Sequence, residues 1–269
     1  MITTAAILAR GLGRRMRLAD GDTRLDDAQS AAADGGVKGM IPIRRPFLEY
    51  VLSALADAGI TDVVLVLGPE HQAVRDYFTI EAPPQRVRVR FALQLEALGT
   101  AHAVVAASDA IGDGPFLVLN ADNYYPIDAL RALAIGDRAA TIAFDRAALT
   151  RLGNIDAERV RAFAVLAVSE DDELLAIVEK PGNSLDLDSP AARWIGMNCW
   201  AVTSDIVDAC RSVPMSSRGE FELPEAVGCA LRDGVPIRAI RMAEPVLDLS
   251  RRSDVAAVAR FLASVEPRP

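Results

Sequence analysis

Between residues 3 and 122, short apolar runs alternate with longer amphipathic segments, and this alternation restricts the chain to few folds. TTAAILA (3–9), VVLVLG (63–68) and FLVLNAD (116–122) read as buried strands, and VRVRFALQ (87–94), alternately apolar and basic, as a strand with one wet face. PFLEYVLSALADAG (46–59) places Phe47, Leu48, Val51, Leu52, Leu55 and Ala58 on one helical face and stops at Gly59. EHQAVRDYF (70–78) and TAHAVVAASDA (100–110) read as further helices. Strand and helix in repeated alternation predict an α/β fold, with a mostly parallel sheet covered on both faces. The second half is less regular. ATIAF, FAVLAV and WAV extend the sheet in mixed sense, and helices are expected over 205–213, 222–232 and 254–265. A chain of 269 residues, 51% of them hydrophobic, is large enough for one sizeable core, and no linker divides it. We therefore expect a single domain over 1–269. Residues 17–37 are polar, acidic and small. They are predicted to form a surface loop, with a lid over bound substrate as the functional alternative.

Charge and cysteine usage exclude several classes. The net charge of −8 is spread along the chain, which argues against binding nucleic acid or an anionic membrane surface. Cys199, Cys210 and Cys229 are odd in number and lack CxxC spacing, so they read as reduced thiols of a cytoplasmic protein. The sequence has no signal-peptide pattern, and no apolar run approaches the ~20 residues of a membrane helix.

Chemistry enters at LARGLGRRMR (8–17), a glycine-rich turn after the first strand. Such turns expose backbone N–H groups to phosphate oxygens. The dinucleotide fingerprint would need a third glycine where Met16 stands, which disfavours a nicotinamide-dependent oxidoreductase, and no GxxxxGK[ST] loop is present. GxG followed by Arg14 and Arg15 leaves two readings: a tight turn with solvated arginines, or a polyphosphate cradle neutralised by guanidinium groups. Further segments follow in order: VKGMIPI (37–43), LQLEALGTAHAV (93–104), Asp122 at the end of a strand, EKP (179–181), GMN (196–198) and VLDLS (246–250).

In this order the segments resemble the sugar-1-phosphate nucleotidylyltransferases, the family of the glucose-1-phosphate uridylyl- and thymidylyltransferases. LARGLGRRM is similar to that family's LAaGxGtRm opening, with Arg10 for the usual alanine and Arg14 for a small hydroxyl residue. The resemblance runs from residue 2 to about 260. It implies a three-layer, Rossmann-like nucleotidyltransferase (GT-A-like) fold. It also implies a reaction of an NTP with a sugar 1-phosphate that gives NDP-sugar and pyrophosphate with Mg2+. Residues 1–125 would form the nucleotide-binding half and 126–269 the sugar-phosphate-binding half.

Residue by residue, the resemblance implies that Arg15 and Lys38 hold the triphosphate and stabilise the departing pyrophosphate. Leu8, Gly11, Gly13, Gln94, Gly99 and Thr100 would contact the nucleotide, Gln94 and Gly99 at the base. Asp122 would hold Mg2+ with Asp248 as second ligand, although Asp-Leu-Ser-Arg replaces the family's Asp-x-Gly-Thr there. Ala121 replaces the glycine that usually precedes the metal acid. Glu179 would hold sugar hydroxyls, Lys180 the attacking phosphate and Asn198 further hydroxyls; Glu220 and Glu222 would reach the sugar, with decoration of a helix start as the equal alternative for Glu222. In-line attack by an ionised phosphate needs charge neutralisation and positioning rather than a general base, so His71 and His102 are read as structural. Nucleotidyl transfer to a non-sugar phosphate and a non-catalytic nucleotide-sensing module stand as alternatives. The partners expected are an NTP and a sugar 1-phosphate, with homo-oligomerisation open.

Overall fold

Strands apolar on both sides need a layer on each face, and the chain supplies two. The computed structural model describes all residues except 12, 19–24, 183–185 and 187–188. Strands β1 (Thr4–Leu8), β2 (Asp62–Leu67), β3 (Arg88–Leu93) and β4 (Phe116–Asn120) are parallel, in the order β3-β2-β1-β4. Their side chains alternate between the faces. Ile7, Leu65 and Leu119 pack on the side of helix α3 (Phe47–Asp57), and Ala6, Val64 and Val118 on the side of helix α5 (Thr100–Ile111). All six are fully buried; each Leu, Val or Ile contributes about 1.5–3 kcal/mol by leaving water.

The sheet continues through β6 (Ala140–Asp145), β9 (Trp194–Val202) and β10 (Arg238–Met242). β9 runs antiparallel between β4 and β6, and β10 is parallel to β6. A hairpin of β7 (Ala164–Val168) and β8 (Leu174–Val178) joins at β9, giving nine strands among the described residues. Helices α6 (Ile127–Ile135) and α10 (Asp254–Phe261) cover the α3 face, and α8 (Ser204–Ser212) and α9 (Leu223–Arg232) the α5 face. The three-layer α/β arrangement predicted from the sequence is present. No helix among the described residues is long and apolar enough to cross a membrane.

Three local features differ from the sequence reading. The segment at 17–37 is not loop throughout: Asp27–Gly35 forms helix α2. Asp26 caps it by accepting from Gln29 N, and Gln29 Oε1 accepts from Asp26 N. The alanine-rich interior favours helix, and Gly36 ends it in the left-handed conformation. The helix is tied to the body by Arg252, which pairs with Asp34 at 2.5 Å and donates to Met16 O. Residues 19–24 of that segment lie outside the described residues. The helix expected over 70–78 is α4 (Gln72–Asp76), continued by a wider π turn at Tyr77–Glu81. β9 is nine residues long rather than the three of WAV, because Gly196 and Asn198, the latter at φ 51°, mask its alternation.

Candidate functional site

Parallel strands end their carboxyl termini on one edge, and the loops leaving that edge enclose the site. The turn after β1, the loop after β3 and the segment after β4 surround a cavity of about 380 Å3, within the range of about 300–1,000 Å3 usual for small-molecule sites. Leu8, Gly11, Gly13 and Arg15 line it from the β1 side, with Lys38 beside them. Gln94, Gly99 and Thr100 line it from β3 and α5, and Asp122 and Asn198 close the far side. Ten of the thirteen candidate residues therefore meet at one cavity.

Two glycines are required by geometry. Gly13 sits at φ 58°, and a Cβ there would collide with the Gly36 carbonyl at the end of α2. Gly99 sits at φ 100°, and a Cβ there would strike Phe221 O. The chain thus passes close behind both turns. The second passage is stitched by Phe221 N to Leu98 O at 2.7 Å, Ala101 N to Phe221 O at 2.9 Å, and Leu223 N to Thr100 Oγ1 at 2.8 Å.

Asp122 is held by Lys38, whose Nζ donates to Oδ2 at 2.6 Å. Behind it lies a short antiparallel ribbon of β5 (Asn123–Tyr124) and β11 (Leu247–Asp248), with Asp248 opposite Asn123 and Leu249 N donating to Asp122 O. This ribbon brings Asp248 close to Asp122 across 126 residues of chain. Asp248 does not line the cavity. It is 3% exposed; Oδ1 accepts from Asn123 Nδ2 at 3.0 Å and Ser250 Oγ at 3.1 Å, and Oδ2 from Arg159. Burial, and next the neighbouring Asp122 carboxylate, push Asp248 up to about 6 against the opposing pull of Arg159.

The donor set fits Mg2+, which takes few carboxylates and completes its shell with phosphate oxygens and water. Asp122 offers its carboxylate at the cavity wall. Asp248 Oδ2 carries one protein donor among the described residues, leaving one lone pair.

Glu179 and Lys180 do not line the cavity; they form a second cluster, linked to the segment that carries Glu220. Lys180 Nζ lies 3.0 Å from Glu179 Oε1, and Arg218 Nη2 lies 3.8 Å from the same oxygen. Arg218 also pairs with Glu222, which further accepts from Ser216 Oγ at 2.8 Å. Burial raises the Glu222 carboxyl, but the hydrogen bonds from Arg218 and Ser216 outweigh it and hold the group below the usual range. Glu220, between them in the chain, lines the cavity. Lys180 at φ 45° and Asn198 at φ 51° both sit in the left-handed region without being glycine, a strain of the kind that collects at functional sites.

The sequence reading missed Arg218 and Arg159. Arg218 lies within the same segment as Glu220 and Glu222, so proximity to them was its available signal. Arg10 was noted only as a departure. Its guanidinium is buried, with Nη2 donating to Leu95 O at 3.0 Å and lying 3.5 Å from Glu70. His71 is structural as expected: Nδ1 accepts from Gly68 N at 3.2 Å, and burial lowers its basicity.

The sequence pattern of the family described as Nucleotidyl transferase matches residues 37–243. A UTP–glucose-1-phosphate uridylyltransferase of Haloferax volcanii is 27% identical over 252 residues, covering 93% of this chain and 92% of that one. A glucose-1-phosphate thymidylyltransferase of Streptomyces antibioticus is 27% identical over 273 residues, covering 98% of this chain and 67% of its own. Several other curated relatives are longer, and the chain spans about half of their length or less. Among solved structures, a UTP-bound UGPase from Acinetobacter baumannii superposes with a TM-score of 0.74 over 99% of this chain and 96% of its own, at 19% identity.

Proposed function

Because the chain belongs to the nucleotidyl transferase family, we propose that it transfers a nucleotidyl group from an NTP to a sugar 1-phosphate. The observation that carries this reading is the Lys38–Asp122 pair, which shares one cavity with Gly11, Gly13 and Arg15. The pair supplies a fixed cation and an anion at the place where phosphates of opposite demand must be held: one attacking, one leaving. An oxygen of the sugar phosphate attacks the α-phosphorus, the new P–O bond forms, and the bond to the β-phosphate bridging oxygen breaks. Pyrophosphate departs with that electron pair. Both reactants are anions, so the chain's task is to neutralise charge and align the reacting atoms.

In this reading Arg15 and Lys38 hold the triphosphate and steady the departing charge. Leu8, Gly11, Gly13 and Thr100 bound the nucleotide, and Gln94 and Gly99 meet the base. Residues 1–125 handle the nucleotide and 126–269 the sugar phosphate, through Glu179, Lys180 and Asn198, with Arg218 adding a second cation. Asp122 and Asp248 hold Mg2+, which when bound supplies positive charge to the phosphate oxygens. Asp248 contributes the weaker hold, being already engaged by Arg159. The protein works as a cytoplasmic enzyme and is open to self-association.

Pyrophosphate release across five NTPs and a panel of hexose and heptose 1-phosphates, with Mg2+, tests the reading. A strong signal for one combination is expected. Silence across the panel, with NTP binding intact by calorimetry, would replace it with a non-sugar acceptor or a nucleotide sensor.

Lys180→Ala is expected to raise the KM for the sugar phosphate about tenfold or more, as loss of a charge-assisted hydrogen bond of about 1.5–3 kcal/mol requires. NTP affinity measured by calorimetry is expected to stay unchanged. Collapse of NTP affinity with unaltered sugar-phosphate KM would assign Lys180 to the nucleotide instead.

A further inference from the structure

Gln94 is 3% exposed, yet it lines the nucleotide cavity. Its Nε2 donates to Gly99 O at 3.0 Å and lies 3.1 Å from His102 Nδ1. A carbonyl oxygen only accepts, so the amide nitrogen must face Gly99. Its second hydrogen then points at His102 Nδ1, which accepts it when the neutral imidazole carries its proton on Nε2. Both amide hydrogens are thereby taken. Oε1 bears no protein donor among the described residues, so it is the atom of this cavity-lining amide with hydrogen-bonding capacity left for a ligand.

His102 itself does not line that cavity. It lies three residues after Gly99, in the first turn of α5, and borders a shallow surface hollow with Glu96 and Asp109. Its connection to the nucleotide runs through Gln94.

We propose that His102 is a positioning residue for base selection: together with Gly99 O it fixes the Gln94 amide as an acceptor, so that the site reads an N–H on the edge of the base. This rests on the NTP reading above. Gly99 O alone holds one hydrogen and leaves the amide plane free to rotate about that bond. The ring nitrogen of His102, carried on a helix, supplies the second point that sets the plane. Backbone at Gly99 and imidazole at His102 thus determine which polar atom the base meets, and neither needs to touch it.

The test compares the full-length wild type with His102→Leu, His102→Asn and His102→Gln. Affinities for UTP, dTTP, GTP, CTP and ATP are measured by calorimetry, with kcat and both KM values for the preferred NTP. Asn places an amide oxygen near the position of Nδ1; Gln places it near Nε2, out of reach of Gln94. We expect His102→Leu to weaken the preferred NTP by about tenfold, the worth of one oriented hydrogen bond, and to narrow its margin over the other four. The kcat and the sugar-phosphate KM stay near wild type. His102→Asn restores affinity and margin, and His102→Gln does not.

An unchanged base preference in His102→Leu, at a wild-type melting temperature, overturns the inference and leaves the proposed function standing. So does equal loss of all five nucleotides without rescue by Asn, which marks a general structural role. Should His102→Leu fail to fold, the Asn and Gln variants carry the comparison: equal behaviour of those two overturns it. A wild type that binds none of the five overturns the NTP reading and this inference with it.

Discussion

Asp122→Asn is expected to lower turnover by about a thousandfold or more and to leave the fold intact. The amide matches the carboxylate in shape but lacks the charge that Lys38 contacts at 2.6 Å. In the proposed reaction that charge has two tasks: it holds Lys38 toward the phosphates and provides the cavity's carboxylate for Mg2+. Removing one preorganised electrostatic group from such a site lowers rates by about 10²–10³, and loss of metal affinity adds to this. Folding should be little affected. Lys38 and Asp122 are 16% and 21% exposed at their side chains, so the ammonium left without its carboxylate still reaches water. The removed charge also stops repelling Asp248. The check is kcat with saturating Mg2+, alongside a thermal melt. Activity near wild type would remove Asp122 from the metal and the chemistry together.

Arg159→Leu is expected to destabilise the fold by about 3–5 kcal/mol, the usual result of taking one partner from a buried ion network. Arg159 is 6% exposed at its side chain. It bridges Asp248 and Asp254, which are 4% and 6% exposed, with Nη1 donating to Asp254 Oδ1 at 2.6 Å. Leucine fills much of the volume but leaves two carboxylates facing each other without a cation. Burial, and next the Asp122 carboxylate, already hold the Asp248 carboxyl well above the ordinary 3.8 with the arginine present. A carboxyl raised in the folded state favours folding at acid pH, and that contribution is lost as pH rises through the folded value. Without Arg159 the carboxyl is raised further. The destabilisation should therefore be larger at pH 8, where the unpaired charge is forced on the fold, than at pH 5, where Asp248 takes a proton. Urea unfolding of both proteins at the two pH values measures this. Equal losses at pH 5 and pH 8 would mean that lost packing, rather than charge, dominates.

The first half of the fold was legible because its strands are buried on both faces and its helices present one apolar stripe each. Ile7, Leu65 and Leu119 announce themselves without reference to any partner. β8 and β10 were not found: Leu175 and Val178 are exposed, and Arg238 and Arg241 interrupt the apolar pattern of β10. α2 was legible in retrospect from Asp26, Gln29 and the alanines between them and Gly36, but the acidic composition of the segment drew the reading toward loop. At the site, the candidates drawn from ordered short motifs are the ones that meet at the cavity: Gly11, Gly13, Lys38, Gln94 with Gly99, and Asp122. Arg159 was not found, since its partners lie 89 and 95 residues away and nothing near it in the chain signals a buried cation. The same long-range pairing explains why Asp248 was expected at the cavity and is instead found behind it.

The position of β9 has a consequence for biosynthesis. Until residues 194–202 emerge from the ribosome, β4 lacks its neighbour, and the edge it presents is Phe116-Leu117-Val118-Leu119 with no charge to discourage pairing with another chain. Within the sheet β6 meanwhile has no strand to join it to the first four, because among the described residues β9 is the strand between β4 and β6. Nearly three-quarters of the polypeptide must therefore wait, partly assembled and with an adhesive border, for one late strand to complete the sheet. Such long-range closure is slow and exposes nascent chains to aggregation. The yield of soluble protein should respond more to translation rate and chaperone supply than the stability of the finished molecule would suggest.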